Sequence, residues 1–234
     1  KIYNAENQIS ETIIKLLAKE KLSEQFSDLD SYLKESVIKL TNAIGKSFDQ
    51  ELFVEERKSL FKNIYENRFF VLAGSPGSGK SYELLKIVEN WNLEGDKTLL
   101  LAPTGKAALR LRTDKDFKGI EASTIDKFLT KKNLNAEINK YNNIIIDEMS
   151  MVDLLKFRKI IDILNIEAPV FKRLILVGDP NQLPAIGYGK VLRDILYFLR
   201  TNKKFDYSFI ELSTNCRQEL ADSQILEFAE SYTN

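Results

Sequence analysis

Three glycines in one short span carry the first chemical signal, in the segment Gly74-Ser75-Pro76-Gly77-Ser78-Gly79-Lys80-Ser81. It follows the apolar run Phe69–Ala73 and precedes a stretch with helical character, the strand, loop, helix context that a phosphate-binding loop requires. Glycine lets successive backbone N–H groups turn inward toward phosphate oxygens, and the helix N-terminus adds partial positive charge. In such a loop Lys80 reaches the β and γ phosphates and Ser81 offers a hydroxyl to Mg²⁺. Gly74 to Ser81 are therefore candidate ATP-binding residues, with Lys80 also catalytic and Ser81 also a metal ligand. The alternative is a glycine-rich turn with no ligand.

A second signal lies at Ile144-Ile145-Ile146-Asp147-Glu148, a buried strand ending in two carboxylates. Adjacent residues at a strand end point to different sides, so the two can take different tasks. Asp147 suits Mg²⁺, and Glu148 suits alignment or deprotonation of an attacking water. The alternative is an acidic turn opening the next helix, with Asp153 as its N-cap. The chain has no histidine, which excludes Ser-His-Asp triads, Cys-His proteases and His-ligated zinc sites. Chemistry must run on carboxylates, lysine, arginine and a bound metal.

The elements that must position these groups follow from the apolar pattern. Short runs at Phe69–Ala73, Thr98–Ala102, Asn143–Ile146, Leu174–Val177 and Phe209–Leu212 alternate with amphipathic stretches. That pattern predicts an α/β fold, a P-loop NTPase with a parallel sheet and helices on both faces. Ligands of such sheets bind at the carboxyl ends of the strands. Gly74, Pro103-Thr104-Gly105-Lys106, Asp147-Glu148 and Gly178 to Gln182 all follow strand ends. Upstream, helical spacing of Ile9, Ile13, Leu16 and Leu17 and of Leu29, Leu33, Val37 and Leu40 predicts three helices, with a break at Gly45. The expected division is a small all-helical N-terminal domain, 1–67, and an ATPase domain, 68–234.

Composition adds bounds. Lys plus Arg and Asp plus Glu are both 34, so any contact with nucleic acid must come from a local patch. No apolar run approaches the ~20 residues of a membrane span, and the single Cys216 fits a reducing compartment. The expectation is a cytoplasmic protein without a membrane partner.

Six blocks, in order, resemble the RecD-like helicases of superfamily 1, typified by the alpha subunit of exodeoxyribonuclease V. They are Gly74–Ser81, Leu101–Ala108, Ala122–Leu129, Asp147–Asp153, Leu176–Pro184 and Cys216-Arg217-Gln218. The resemblance runs from about Arg57 to Ala229. It implies a bacterial, RecA-like motor domain, the first of two, that couples ATP hydrolysis to 5′-to-3′ movement on single-stranded DNA. It also implies other subunits of an exonuclease V-like complex as partners. By the same resemblance Gln182 senses the γ phosphate, Arg217 stabilises its charge at the transition state, and Thr104, Lys106 and Thr124 contact DNA phosphates. From the residues alone, Gln182 could instead cap a turn and Arg217 could be a surface ion-pair partner. Arg110 and Arg112 could extend a basic lip, with a solvated helix face as the alternative. Phe128 or Tyr188 could stack on a base, or be core.

Three departures from the family pattern carry expectations of their own. Arg57 stands where the family usually carries a glutamine that reads adenine, so it is a candidate nucleotide contact of altered selectivity. Asp126 replaces a common histidine beside the DNA and would repel phosphate. Between Leu129 and Tyr141 only a short polar stretch is left for any strand-separating hairpin. With the second motor domain of the family expected beyond Asn234, the 234-residue chain should bind Mg-ATP weakly, hydrolyse it slowly and not unwind duplexes. The competing readings are a nucleotide-dependent scaffold and an RNA translocase.

Overall fold

The computed structural model describes residues 2–113 and 120–216. Helices α1 (Ile2–Ala18), α2 (Leu29–Ile44) and α3 (Gln50–Glu66) come first. The sheet then begins with β1 (Phe69–Gly74), α4 (Lys80–Leu93), β2 (Thr98–Ala102), α5 (Gly105–Thr113) and β3 (Glu121–Thr124). It continues with α6 (Ile125–Leu129), α7 (Leu134–Ile138), β4 (Asn143–Ile146), α8 (Leu154–Ile163), β5 (Arg173–Gly178), α9 (Val191–Thr201) and β6 (Phe209–Leu212). Among the described residues six strands form one sheet in the order β3-β2-β4-β5-β1-β6, and every pairing is parallel.

Parallel strands covered on both faces must be apolar throughout, and β1, β2, β4 and β5 are buried along their whole length. The two-residue repeat divides them cleanly. Phe69, Val71, Ala73, Leu99, Leu101, Ile144, Ile146, Leu174 and Leu176 face one core, with α1, α8 and α9. Phe70, Leu72, Leu100, Ala102, Ile145, Ile175 and Val177 face the other, with α3 and α4. The expected strands are all present. β3 is an addition, a four-residue edge strand whose first residue, Glu121, is exposed.

The three expected N-terminal helices are present, and Gly45 ends α2 at φ 80°. They do not stand apart from the sheet. Ala5, Ile9, Ile13, Leu16 and Leu17 of α1 belong to the first core, whereas Leu60, Phe61, Ile64 and Tyr65 of α3 belong to the second. Burial gains each of Ile9, Ile13, Leu16 and Leu17 roughly 1.5–3 kcal/mol. Only α2 and its junction with α3 hold a small cluster of their own, around Leu33, Phe48 and Phe53. Residue 67 thus marks a change of sequence pattern rather than a boundary between cores. Between Leu129 and Tyr141, the short stretch left for any strand-separating hairpin, the chain forms the short helix α7. No helix among the described residues is long and apolar enough to cross a membrane.

At the rim opposite the strand ends, Arg173 is wholly buried at the start of β5. Its guanidinium donates to Ile64 O at 3.1 Å, Tyr65 O at 2.7 Å, Asn143 Oδ1 at 3.0 Å and Glu24. It also lies 4.7 Å from the centroid of the Trp91 ring. Lys172 Nζ completes the cluster, 2.8 Å from Glu24 and 2.6 Å from Asp96. The cluster ties the 19–28 linker between α1 and α2 to the start of β5 and the end of α3. Burial alone would raise the Glu24 carboxyl, but hydrogen bonds from Arg173 and Lys172 outweigh it and hold the group below its ordinary 4.5.

Removing one partner of a buried ion cluster leaves uncompensated charge, at about 3–5 kcal/mol. Arg173→Ala is therefore expected to lose about that much unfolding free energy in urea at pH 7. A lowered carboxyl gives stability that is complete above 4.5 and drains as pH falls through its folded value. Glu24→Gln should flatten that acid limb while lowering the neutral plateau; an unchanged limb would overturn the assignment.

Candidate functional site

The loop between β1 and α4 is shaped by its glycines. Gly77 and Gly79 adopt φ 89° and 86°, a left-handed backbone that side chains resist. A Cβ on Gly74 would lie 2.7 Å from Leu212 O and from Ser78 Oγ, so β6 passes too close for any other residue. Ser78 Oγ donates back to Ser75 O at 2.8 Å, closing the loop. Lys80 Nζ lies at its centre, donating to Gly74 O at 2.7 Å and Ser75 O at 2.9 Å. The amine and the N-terminus of α4 thus converge on one concavity, and both favour an anion.

Opposite them stands the end of β4. The Asp147 N–H donates to Leu101 O at 2.8 Å, which continues the pairing with β2. Its buried carboxylate accepts from the Glu148 N–H at 2.9 Å. Glu148 itself adopts φ 50° and ψ 41°, a left-handed conformation that costs a side-chain-bearing residue of order 1–3 kcal/mol. This bend alters one expectation. Adjacent residues of a straight strand would diverge, yet both Asp147 and Glu148 line the same pocket.

β5 ends beside them in Gly178, where a Cβ would meet Leu192 Cδ2 at 2.9 Å and the Met149 N at 3.2 Å. Beyond it, buried Asp179 accepts from Asn181 N at 2.8 Å, and Gln182 Oε1 accepts from Ser150 Oγ at 3.3 Å. The two strand-end loops are thereby joined. Pro76, Gly77, Gly79, Lys80, Ser81, Asp147, Glu148, Asp179 and Gln182 all line a single pocket of about 550 Å³. Of the residues expected around a bound triphosphate, Arg217 lies outside the described residues.

Arg57 does not line this pocket. It is completely buried beneath the loop. Its Nε donates to Glu83 Oε1 at 3.0 Å, Nη1 to Glu56 Oε2 at 2.7 Å and Nη2 to the Ser78 carbonyl at 2.6 Å. The guanidinium also lies 4.3 Å from the Phe53 ring centroid. Side chains that reach only inward cannot read a base, so the sequence-based expectation of an Arg57 nucleotide contact gives way to a support for the loop.

The same network reaches three further elements. Glu56 accepts from the Ser213 N–H and hydroxyl, both at 2.7 Å, and from the Thr214 hydroxyl at 2.8 Å. Cys216 N donates to Gly77 O at 2.9 Å. Tyr32 OH donates to Glu83 Oε2 at 2.6 Å. Burial pushes the Glu83 carboxyl up despite the attraction of Arg57, and burial followed by Glu83 raises the Tyr32 phenol. Sequence reasoning missed Glu56, Glu83 and Tyr32. The one available sign was Glu83 itself, a carboxylate just ahead of the apolar pair Leu84-Leu85 on a helix that must face the sheet.

Thr104, Lys106 and Thr124 share the strand-end edge but line no part of this pocket. Thr104 Oγ1 accepts from Ala107 N at 3.2 Å and Thr124 Oγ1 from Lys127 N at 3.1 Å, so each caps a helix. A hydroxyl that accepts through its oxygen can still donate its proton to a phosphate. Thr124 is the last residue of β3, in register with Ala102, and Lys106 is exposed on the first turn of α5. Asp126, expected to repel phosphate, is paired with Lys156 Nζ at 3.0 Å. Phe128 is buried in the core and cannot stack on a base, whereas Tyr188 is 58% exposed. The side chains of Arg110 and Arg112 lie outside the described residues.

The family model for the AAA domain matches residues 54–231. The RecBCD enzyme subunit RecD of Mycolicibacterium smegmatis is 27% identical over 211 residues, covering 75% of this chain and 37% of that protein. The ATP-dependent RecD2 DNA helicase of Deinococcus radiodurans is 34% identical over 141 residues, covering 58% of this chain and 19% of that protein. The crystal structure of Bacteroides Pif1 bound to ssDNA aligns with a TM-score of 0.45 at 23% identity, over 69% of this chain and 42% of that one. The chain spans well under half the length of these curated relatives. Because the matched span runs from the helix beneath the phosphate loop through both strand-end loops, the chain belongs to the AAA domain family.

Proposed function

We propose that this chain is the ATP-hydrolysing part of a DNA helicase motor. The observation that carries the reading is the convergence of Lys80, Ser81, Asp147, Glu148 and Gln182 on one pocket at the strand-end edge. Ser81 and Asp147 would hold Mg²⁺, a hydroxyl and a carboxylate being the sparse oxygen set that leaves room for phosphates. When bound, the ion neutralises charge on the phosphate oxygens.

The chain's own groups do the rest. Lys80 exchanges the carbonyls of Gly74 and Ser75 for β and γ phosphate oxygens as nucleotide enters. Glu148 takes or orients the proton of the attacking water. Gln182, an amide that both donates and accepts, reports the γ phosphate to Ser150 and the neighbouring loop. Arg217 adds a guanidinium against the charge developing on the equatorial oxygens.

Thr104, Lys106 and Thr124 are proposed to hold phosphates of single-stranded DNA on the β2–β3 side of the same edge. A bacterial cytoplasmic location, 5′-to-3′ movement and other subunits of an exonuclease V-like complex complete the proposal, by likeness to RecD proteins.

Glu148→Gln is expected to cut single-turnover ATP hydrolysis by roughly 10²–10⁴-fold, the usual contribution of a general base, with nucleotide affinity nearly unchanged. Equal rates for variant and wild type would leave a nucleotide-dependent scaffold as the better reading. Arg57→Gln separates a loop support from a base reader. As a support, its loss strands two buried carboxylates and should cost about 3–5 kcal/mol. A carboxyl raised above 4.5, as Glu83 is, makes the fold lose stability as pH rises through that range, so the melting deficit should widen from pH 5 to pH 8. A variant as stable as wild type with sharpened preference for ATP would restore the base-reading role.

A further inference from the structure

The pocket does not end at the phosphate loop. It continues under α2, where Ser36, Lys39, Leu40 and Ala43 line it together with Phe53 of α3 and Tyr82 of α4. Residues 36, 39, 40 and 43 fall on one helical face, so α2 lies along the pocket as a wall. Leu40 and Phe53 also belong to the small cluster beneath that helix, and the wall is therefore anchored. Leu40, Ala43 and Phe53 give it an apolar face, with Ser36, Lys39 and Tyr82 beside it. Lys39 brings an exposed ammonium, and Ser36 is buried. The side chain that could have read a base edge, Arg57, has its nitrogens engaged on Glu56, Glu83 and the Ser78 carbonyl. Gln182 is committed to the other end, beside Ser150.

We infer that α2 forms the base subsite of this nucleotide pocket and holds the base by apolar contact with little reading of its edge, so that purine and pyrimidine triphosphates are separated far less than an edge-reading site would separate them. The inference rests on the reading of the pocket as a nucleotide site. Its physical ground is an asymmetry of recognition. A site that hydrogen-bonds a ligand group rejects analogues lacking it by several orders of magnitude, whereas an apolar pocket discriminates by only about ten- to two-hundredfold. Watson–Crick edges differ in the placing of donors and acceptors, a difference that Leu40, Ala43 and Phe53 cannot sense. The apolar wall should therefore add affinity without choosing among bases.

Two measurements on the intact chain test this. Displacement of a fluorescent ATP analogue in Mg²⁺ by ATP, GTP, CTP, UTP and inorganic tripolyphosphate should give four nucleotide affinities within about two-hundredfold of one another. All four should be tighter than tripolyphosphate. Photolabelling with 8-azido-ATP, followed by peptide mass spectrometry, should place the label on the α2 peptide carrying Lys39 to Ala43. A preference for ATP beyond about two-hundredfold, or a label confined to other peptides, would overturn the inference. Nucleotides binding no tighter than tripolyphosphate would remove the base subsite and leave the phosphate site standing. Failure of tripolyphosphate and nucleotides alike would instead overturn the nucleotide reading itself, and Lys80→Ala supplies that pattern as a control.

Discussion

A loop that turns its amides toward a phosphate must be held from behind, because the same turn strips its backbone of regular pairing. Here the hold comes from one buried guanidinium. Arg57 grips the Ser78 carbonyl from beneath while Glu56 and Glu83 balance its charge. Taking three charges out of water is costly unless geometry and hydrogen bonds offset it. Ser213, Thr214 and Tyr32 supply those bonds. The loop, the first turns of α4, helices α2 and α3 and the chain leaving β6 therefore share one polar knot. A ligand that shifts the loop has a direct mechanical path to the segment leading into Arg217, through the bond from Cys216 N to Gly77 O.

That knot holds α2 and α3 to the phosphate loop, while α1 joins the sheet by apolar packing. α1 and α3 roof opposite faces, and the linker between α1 and α2 must cross the rim of the sheet to join them. Arg173 fastens the crossing at the rim far from the pocket, through Glu24. Once fastened, α2 can rest over the phosphate loop and close one side of the pocket. Two buried arginines at opposite ends of the strands thus set where the helices lie, one through a linker and one through a loop.

Much of this was legible in the chain. The fully buried strands read as unbroken apolar runs because both faces are covered, and their ends carry the polar residues because that is where a parallel sheet leaves a crevice. β3 escaped notice because an edge strand of four residues, Glu121-Ala-Ser-Thr, has neither the length nor the apolar content to stand out. Arg57 was misplaced for a different reason. Its position along α3 is local information, but its direction is decided by Glu83, which lies 26 residues away in sequence. Phe128 was ambiguous on spacing alone, and only the packing of α6 against α8 puts it inside.

Glu148 shows how a local cost can be retained for a reason that lies in the site. Glycine there would relieve a left-handed backbone at no steric cost, and it would delete the carboxylate. Aspartate or asparagine would tolerate the conformation better than glutamate does, but with a side chain one carbon shorter. The bend itself is what brings two consecutive carboxylates into one pocket, which a straight strand would send to opposite faces. Asp147 secures the bend by accepting the Glu148 N–H, and Gly178 leaves the space into which the following turn packs. The strain is therefore bound to the division of labour between the two acids: relaxing the backbone and keeping both groups at the pocket are incompatible in this framework.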